Sequence, residues 1–156
     1  MAAHDLLIST MEYLAPEKLL DGLTGAQAAE RIANTPHTIV EIVAHLDFWQ
    51  GWFLGRCRGE GTPIPEHAAE GWPAADAEDW DRVRGRFLAG LVEVAELERQ
   101  AAQRVEPAIE FPAMAEYTIG DVITHDAIHN AHHLGQVATL RQLQGTWPPP
   151  AGSWTW

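Results

Sequence analysis

Residues 118–145, TIGDVITHDAIHNAHHLGQVATLRQLQG, contain the clearest helical pattern in the chain. Thr118 and Asp121 stand at the spacing of a helix cap, in which side chains satisfy the free backbone amides of the first turn. Gly145 is typical of the residue that follows a last turn. At about 100° per residue the apolar side chains fall on one face, which predicts a helix with a single buried side. That face carries Ile119, Val122, Ile123, Leu134, Val137 and Leu140.

Three other segments show helical spacing, and none shows the sustained alternation that is typical of strands. They cover about residues 5–20, 38–58 and 77–104, and a short extra helix is expected over about residues 27–33. The tail WPPPAGSWTW, residues 147–156, cannot be helical at its prolines and is expected to be extended. The sequence therefore predicts an all-α protein.

Length and composition limit how the chain is organised. With 156 residues, of which 46% are hydrophobic, it is long enough for one core and too short for two ordinary domains. A single domain over residues 1–156 is expected. No apolar run reaches the length of a membrane span, and the first residues lack the pattern of a secretory signal. These features favour a cytoplasmic protein with no membrane partner.

Charge and cysteine content exclude several classes of function. The net charge of -12 opposes binding to phosphates, and the basic residues form no dense stripe, so no nucleic-acid partner is expected. Cys57 is the only cysteine, which excludes an intramolecular disulfide and a cysteine-rich zinc site. It falls on the buried face of its helix and is expected to be a small core residue. Any metal site must therefore use nitrogen and oxygen ligands.

Four histidines on the last predicted helix differ in the direction that helical geometry gives them. His129 and His133 fall inside the buried face, His125 lies beyond its edge, and His132 points further away. The two inward histidines form an i, i+4 pair, so their rings project from successive turns and can converge on one ion. This spacing favours a metal site.

Polar residues beside the histidine pair strengthen this interpretation. Asp126 and Asn130 also fall on the buried face, and four polar side chains there would cost several kcal/mol in lost hydration unless something compensates them. A bound metal ion with supporting hydrogen bonds would do so. Two imidazoles seldom suffice for a tight site, and His45 is the candidate for a third ligand from another helix. It lies at the edge of the buried face formed by Ile39, Ile42, Leu46, Trp49 and Phe53.

Taken together and in order, these motifs resemble the DinB-like (YfiT-like) metal-binding helical bundles over nearly the whole chain. TIVEIVAHLDFWQGW, residues 38–52, resembles the second helix of the family with its metal-binding histidine. HNAHHLGQ, residues 129–136, resembles the fourth-helix motif, and GTWPPP, residues 145–150, resembles the usual exit from that helix. The resemblance implies a four-helix bundle in up-down-down-up order.

The resemblance also implies a set of metal ligands. Carried over by position, it makes His45, His129 and His133 the three ligands and leaves His132 as a neighbour that does not bind the metal. One position departs from the family: relatives often carry Arg after the histidine pair, and this chain has Leu134. A role of that Arg toward an anionic substrate is therefore not carried over.

A site of three histidines suggests chemistry as well as binding. It leaves a coordination position open, as in catalytic zinc sites, and imidazole suits both Zn²⁺ and Ni²⁺. The resemblance implies a low-molecular-weight thiol, such as bacillithiol or mycothiol, that is transferred to an electrophile or used in isomerisation. Asp126 and Asn130 are expected to hold ligand rings or to orient a small-molecule substrate. Trp49 and Phe53 are expected to wall the substrate pocket.

Other interpretations stay open at this stage. The protein could be a hydrolase that uses metal-activated water, or a stress-related protein that binds metal or small molecules without catalysis. A di-metal site of the ferritin type would need Glu-x-x-His on paired helices, and only residues 126–129 approach that pattern. The histidines could also be ordinary surface and core residues. No role is assigned to His4, His37 and His67.

Aromatic residues outside the buried faces raise the question of assembly. Phe48 and Trp52 lie on a second side of their helix, and a helix that is apolar on two sides suggests an interface. We therefore expect a homodimer. The tail tryptophans are expected to pack on the chain's own bundle; they are Trp147, Trp154 and Trp156.

Overall fold

The computed structural model describes residues 14–153. Helices and the connections between them make up this range, and it contains no strand. The helices are α1 (Pro16–Leu19), α2 (Gly25–Ala28), α3 (Ile39–Cys57), α4 (Trp80–Glu96) and α5 (Ile119–Leu143). Short 3₁₀ turns lie at Ala68–Gly71, Leu97–Gln100 and Pro112–Met114. The prediction of an all-α fold is confirmed. Of the first predicted helix, residues 5–13 lie outside the described range. Over residues 14–153, no helix combines the length and apolar character that crossing a membrane requires.

Helices α3 and α4 run in the same direction. Asp47 in the middle of α3 pairs with Arg86 at 3.2 Å, and Arg58 just after α3 pairs with Glu93 near the end of α4. A later position along α3 therefore pairs with a later position along α4, as parallel helices require. The chain must travel back along the bundle between them, which explains the long connection over residues 58–79.

Helix α5 runs in the opposite direction to α3. The ring of His45 lies 4.7 Å from that of His133, whereas Phe53, further along α3, lies 5.0 Å from His125, which comes earlier in α5. The last three helices of the bundle thus follow the down-down-up part of the expected order. Their facing sides form the core, which includes Leu46, Phe87, Ile123 and Val137.

Helix caps explain why α3 and α5 begin where the sequence predicts. Thr38 Oγ1 accepts a hydrogen bond from the Glu41 amide at 3.3 Å, and a Glu41 carboxylate oxygen accepts one from the Thr38 amide at 2.8 Å. Thr118 and Asp121 form the same reciprocal pair before α5. Each pair satisfies backbone donors that a helix start otherwise leaves free.

The predicted helix over residues 77–104 is too long at both ends, and α4 stops well before its expected end. After the following 3₁₀ turn, the backbone pairs with the first turn of α5 and the residue Tyr117 before it instead of continuing the helix. The carbonyl oxygen of Ala101, for example, accepts a hydrogen bond from the Gly120 amide at 2.9 Å. These tertiary hydrogen bonds replace the ones that a longer α4 would make.

The short extra helix exists but is displaced from its predicted position at residues 27–33. Thr24 and Gln27 form a capping box that starts α2 at Gly25. The Glu30 amide then bonds to the Gln27 carbonyl at 3.3 Å, the tight spacing that closes a helix rather than extends it. The local cap therefore overrides the expected boundary.

The described part of the tail, residues 147–153, contains no helix, as its prolines predict. It closes a turn in which the Gly152 amide donates to the Pro149 carbonyl at 2.8 Å. Trp147 is half-buried against the core, in agreement with packing on the chain's own bundle. The other two tail tryptophans, Trp154 and Trp156, lie outside the described residues.

Trp52 is covered by its own chain. Its indole nitrogen donates to the carbonyl of Pro63 at 3.0 Å, and the guanidinium of Arg56 lies 5.8 Å from the ring centre. Of the two aromatics that suggested an interface, only the half-buried Phe48 is therefore partly available. The homodimer stays a prediction.

Two glycines on α4 allow a matched test of the helix packing. A Cβ at Gly90 would lie 2.1 Å from the buried Gln50 side-chain nitrogen, which donates to the Phe87 carbonyl, whereas nothing lies within 4 Å at Gly85. We expect Gly90→Ala to lower the free energy of unfolding by about 1–3 kcal/mol because it displaces this amide. Gly85→Ala should raise it by about 0.5–1 kcal/mol through helix propensity. Urea unfolding measures both changes, and equal effects would contradict this packing.

Candidate metal centre

The structure brings together the three histidines that the sequence singles out. His45 comes from α3, and His129 and His133 come from successive turns of α5. One potential ligand atom from each residue lies within 4.8 Å of the others, and the Nε2 atoms of His45 and His129 are 3.1 Å apart. His45 and His133 are buried and His129 is half-buried. The cluster is compatible with metal binding, and the role of each residue as a ligand stays a prediction.

The orientation of His45 is fixed by a backbone carbonyl. Its Nδ1 lies 2.5 Å from the carbonyl oxygen of Gly71, at the end of a 3₁₀ turn in the connection between α3 and α4. A carbonyl oxygen can only accept, so Nδ1 carries the proton and donates it. The lone pair of Nε2 is then free and faces the other two histidines, as in metal sites where a second hydrogen bond sets the tautomer.

A side chain one turn further along α5 orients His133. His133 Nδ1 donates to Oε1 of Gln136 at 2.8 Å, which leaves the lone pair on Nε2. The amide nitrogen of Gln136 faces the exposed ring of His132 at 3.5 Å. His132 thus lies outside the cluster, as helical geometry predicts.

Trp72 covers the cluster from the connection between α3 and α4. Its indole stacks on His45 with ring centres 3.8 Å apart and planes at 11°, and on His37 at 3.7 Å and 8°. His133 meets the edge of the same indole at 5.6 Å. His37, to which the sequence assigns no role, forms the outer layer of this stack. Neither Trp72 nor Gly71 was expected at the site, since both belong to a segment rich in Gly and Pro that resembles a surface loop.

Burial keeps the three rings neutral. Burial, with a contribution from neighbouring histidines, lowers the pKa of His45 to about 4 and that of His129 to about 3. Burial also lowers the pKa of His133. Near pH 7 all three are therefore unprotonated on one nitrogen, which is the form that binds a metal ion. His129 Nδ1 is buried and has no hydrogen-bond partner among the described residues.

The donor set fits a borderline divalent cation. Three neutral imidazole nitrogens that face one point, with no thiolate and no carboxylate among them, match the preferences of Zn²⁺ and Ni²⁺. Without a cation, a proton on His129 Nε2 could satisfy the His45 Nε2 lone pair at 3.1 Å, but the Nε2 lone pair of His133 has no donor among the described residues. A bound metal ion would engage all three nitrogens.

Asp126 and Asn130 are buried, as predicted, but they do not hold the ligand rings. The Asn130 amide donates to Asp126 at 3.0 Å, and no hydrogen bond joins either residue to a histidine of the cluster. Gly71 and Gln136 orient the rings instead. The physical reason is the i, i+4 spacing, which pairs the two residues with each other along one helix, although Asp126 Oδ1 and Asn130 Oδ1 remain buried without a partner among the described residues. Burial raises the pKa of Asp126 to about 7.

A small cavity opens beside His129. It measures about 130 Å³ and is lined by Trp49, Trp52, Phe53, Ile64, Met114, His125 and His129. Trp49 and Phe53 therefore lie where the sequence predicts a pocket wall, although a role in substrate binding stays a prediction. Ile64 and Met114 come from two connections and have no periodic signal in the sequence.

Cys57 is half-buried, and burial raises the pKa of its thiol to about 11, which agrees with an unreactive core residue.

Comparison with known proteins identifies the family. The family model described as DinB superfamily matches residues 15–137. The chain belongs to the DinB superfamily. All three clustered histidines of this DinB-superfamily protein lie inside the matched segment, as do Gly71 and Trp72. No curated protein and no solved structure shows significant similarity to the chain.

The Gly71 carbonyl can be tested by adding a single methyl group. A Cβ at Gly71 would lie 2.6 Å from the Trp49 indole nitrogen, so the Trp49 ring or the Gly71 backbone that accepts the His45 hydrogen bond must shift. We expect Gly71→Ala to weaken Zn²⁺ binding about 10–100-fold, the usual effect of losing a partner that orients a ligand. Gly61→Ala is the control in the same connection, because its Cβ would make an ordinary contact at 3.7 Å. Chelator competition measures both affinities; equal values would refute this role.

The lowered pKa values also predict how stability depends on pH in metal-free protein. In the unfolded chain a histidine titrates near its ordinary pKa of 6.5, whereas folded His45 and His129 titrate near 4 and 3. Between these values the unfolded state binds more protons, so the free energy of unfolding should fall as pH drops below 6.5. His129→Gln should show a shallower fall than wild type. His132→Gln, which changes an exposed ring, should match wild type, and identical slopes in all three would contradict the assignment.

Proposed function

We propose that this DinB-superfamily protein binds a divalent metal ion through His45, His129 and His133 and transfers a low-molecular-weight thiol to an electrophile. Zn²⁺ and Ni²⁺ suit the nitrogen ligands, and thiols of the bacillithiol or mycothiol type suit the family resemblance. The observation that carries the proposal is the convergence of three neutral imidazoles beside an aromatic cavity. A cytoplasmic location and a small-molecule substrate belong to the same proposal.

The chemistry requires that a thiol become a nucleophile at neutral pH. A bound Zn²⁺ or Ni²⁺ ion lowers the pKa of a thiol that it holds, and three protein ligands leave it a position for one. The hydrogen bonds from His45 to Gly71 and from His133 to Gln136 keep both Nε2 atoms directed at one point. The protein thus fixes the ligand geometry before the thiol arrives.

The transfer itself is a substitution at carbon. The thiol loses its proton to solvent, its sulfur forms a bond to the electrophilic carbon, and the leaving group departs with the bonding electrons. The aromatic walls beside His129 support this reaction because they can orient an electrophile and exclude water, which would otherwise compete as a nucleophile. An apolar wall favours thiol transfer over hydrolysis for the same reason.

Adjacent histidines offer a matched test of the metal site. We expect about one Zn²⁺ or Ni²⁺ per chain in wild type and in His132→Ala, and loss of that metal in His133→Ala and His45→Ala. Elemental analysis of protein purified without an affinity tag measures this directly. Wild-type protein that holds no metal even after reconstitution would overturn the proposal.

Turnover separates the three functional classes. The metal-loaded protein should consume bacillithiol or mycothiol together with an electrophile such as 1-chloro-2,4-dinitrobenzene, and His133→Ala should lower the rate at least about 100-fold. Consumption of an ester or amide without any thiol would instead identify a hydrolase. Tight metal binding with no turnover of either kind would identify a non-catalytic binding protein.

A further inference from the structure

The cavity beside His129 has flat, fixed aromatic walls. Trp49, Trp52 and Phe53 project from neighbouring turns of α3 and pack edge to face, with ring centres 5.9 Å and 5.1 Å apart. Trp52 is also held by its hydrogen bond to the Pro63 carbonyl. The walls are therefore arranged before any ligand enters, and a planar group can lie against them with little ordering of side chains.

The size of the cavity limits what enters it. Its volume of about 130 Å³ is close to that of an engineered protein cavity of about 150 Å³ that accommodates benzene. One six-membered ring or a short conjugated chain fits such a space. The remainder of a larger molecule would extend toward solvent.

No cationic side chain among the described residues lines this cavity. The guanidinium of Arg56 lies 5.8 Å from the Trp52 ring centre. Its Nη1 and Nη2 atoms donate to the backbone carbonyls of Thr62, Pro107 and Ala108 and are not available to a ligand, whereas its Nε is buried without a partner among the described residues. A carboxylate in this cavity would lose its hydration without gaining a positively charged partner.

The surface beside the cavity also opposes anions. A neighbouring groove shares Trp52 and Ile64 with the cavity and carries three carboxylates, those of Glu60, Glu66 and Glu70. These carboxylates repel anions, and so does the net charge of -12 on the whole chain. Both the cavity wall and the neighbouring groove therefore disfavour negatively charged ligands.

We infer that this cavity binds an uncharged, planar, apolar group of the substrate, one ring in size, and that it discriminates against carboxylates. The inference rests on the proposed function only for the role of this group, which is to present an electrophilic carbon next to the clustered histidines. In that transfer the thiol sulfur forms a bond to this carbon, and the bond from the carbon to the leaving group breaks. The binding preference itself follows from the walls and the charges.

Nitrobenzene and benzoate provide the test, because they have nearly the same shape and differ in charge. The full-length protein is treated with EDTA so that no metal ion can hold the carboxylate, and binding is measured by calorimetry. We expect nitrobenzene to bind at least about tenfold more tightly than benzoate, a difference of about 1.4 kcal/mol. Equal affinities, or no binding of nitrobenzene, would overturn the inference.

A charge introduced at the wall should reverse this preference. Met114 is half-buried in the short 3₁₀ turn between α4 and α5, so substitution there leaves the contacts among the α-helices in place. Met114→Arg should shift the affinity ratio at least about tenfold toward benzoate, and Met114→Leu should keep the wild-type ratio. The same ratio in both variants would show that binding occurs elsewhere and refute the inference. Because no thiol or metal takes part, a failure of thiol turnover with this preference intact would count against the transferase alone.

Discussion

The hydrogen bond from His45 to the carbonyl of Gly71 decides how the whole site is organised. It joins a core helix to a loop residue 26 positions away, fixes the proton on Nδ1 and leaves Nε2 to face the histidines of α5. The adjacent Trp72 then lies flat on the same ring. Gly71 thus fixes the direction of the His45 ring and the adjacent Trp72 covers it, so Nε2 of His45 already faces the other two histidines.

The fold was predictable wherever local interactions decide it. The capping boxes at Thr38 and Thr118 are made by residues three apart, so sequence spacing alone locates the starts of α3 and α5. The end of α4 was not predictable in this way. It depends on the backbone of residues 101–105 pairing with residues 117–120 at the start of α5, and backbone groups are the same in every residue.

The residues of the candidate site divide in the same way, into those that sequence spacing predicts and those that depend on tertiary contacts. Helical geometry separates inward His129 and His133 from outward His132, and the family resemblance supplies His45 from another helix. Gln136 follows His133 at a spacing that could have been recognised as a hydrogen-bonding partner. Gly71 contributes only a backbone carbonyl oxygen, so no pattern of side chains in the sequence can predict its role.

The parallel direction of α3 and α4 has a consequence for how such a site can diversify. Parallel neighbours oblige the chain to run the length of the bundle between them, over residues 58–79. This return segment delivers Ile64, Gly71 and Trp72 to the cavity and the histidines. Its sequence can change while the helices keep their own contacts with one another. The helices therefore supply constant positions for the histidines. Changes in the return segment can alter which ligands the neighbouring cavity prefers.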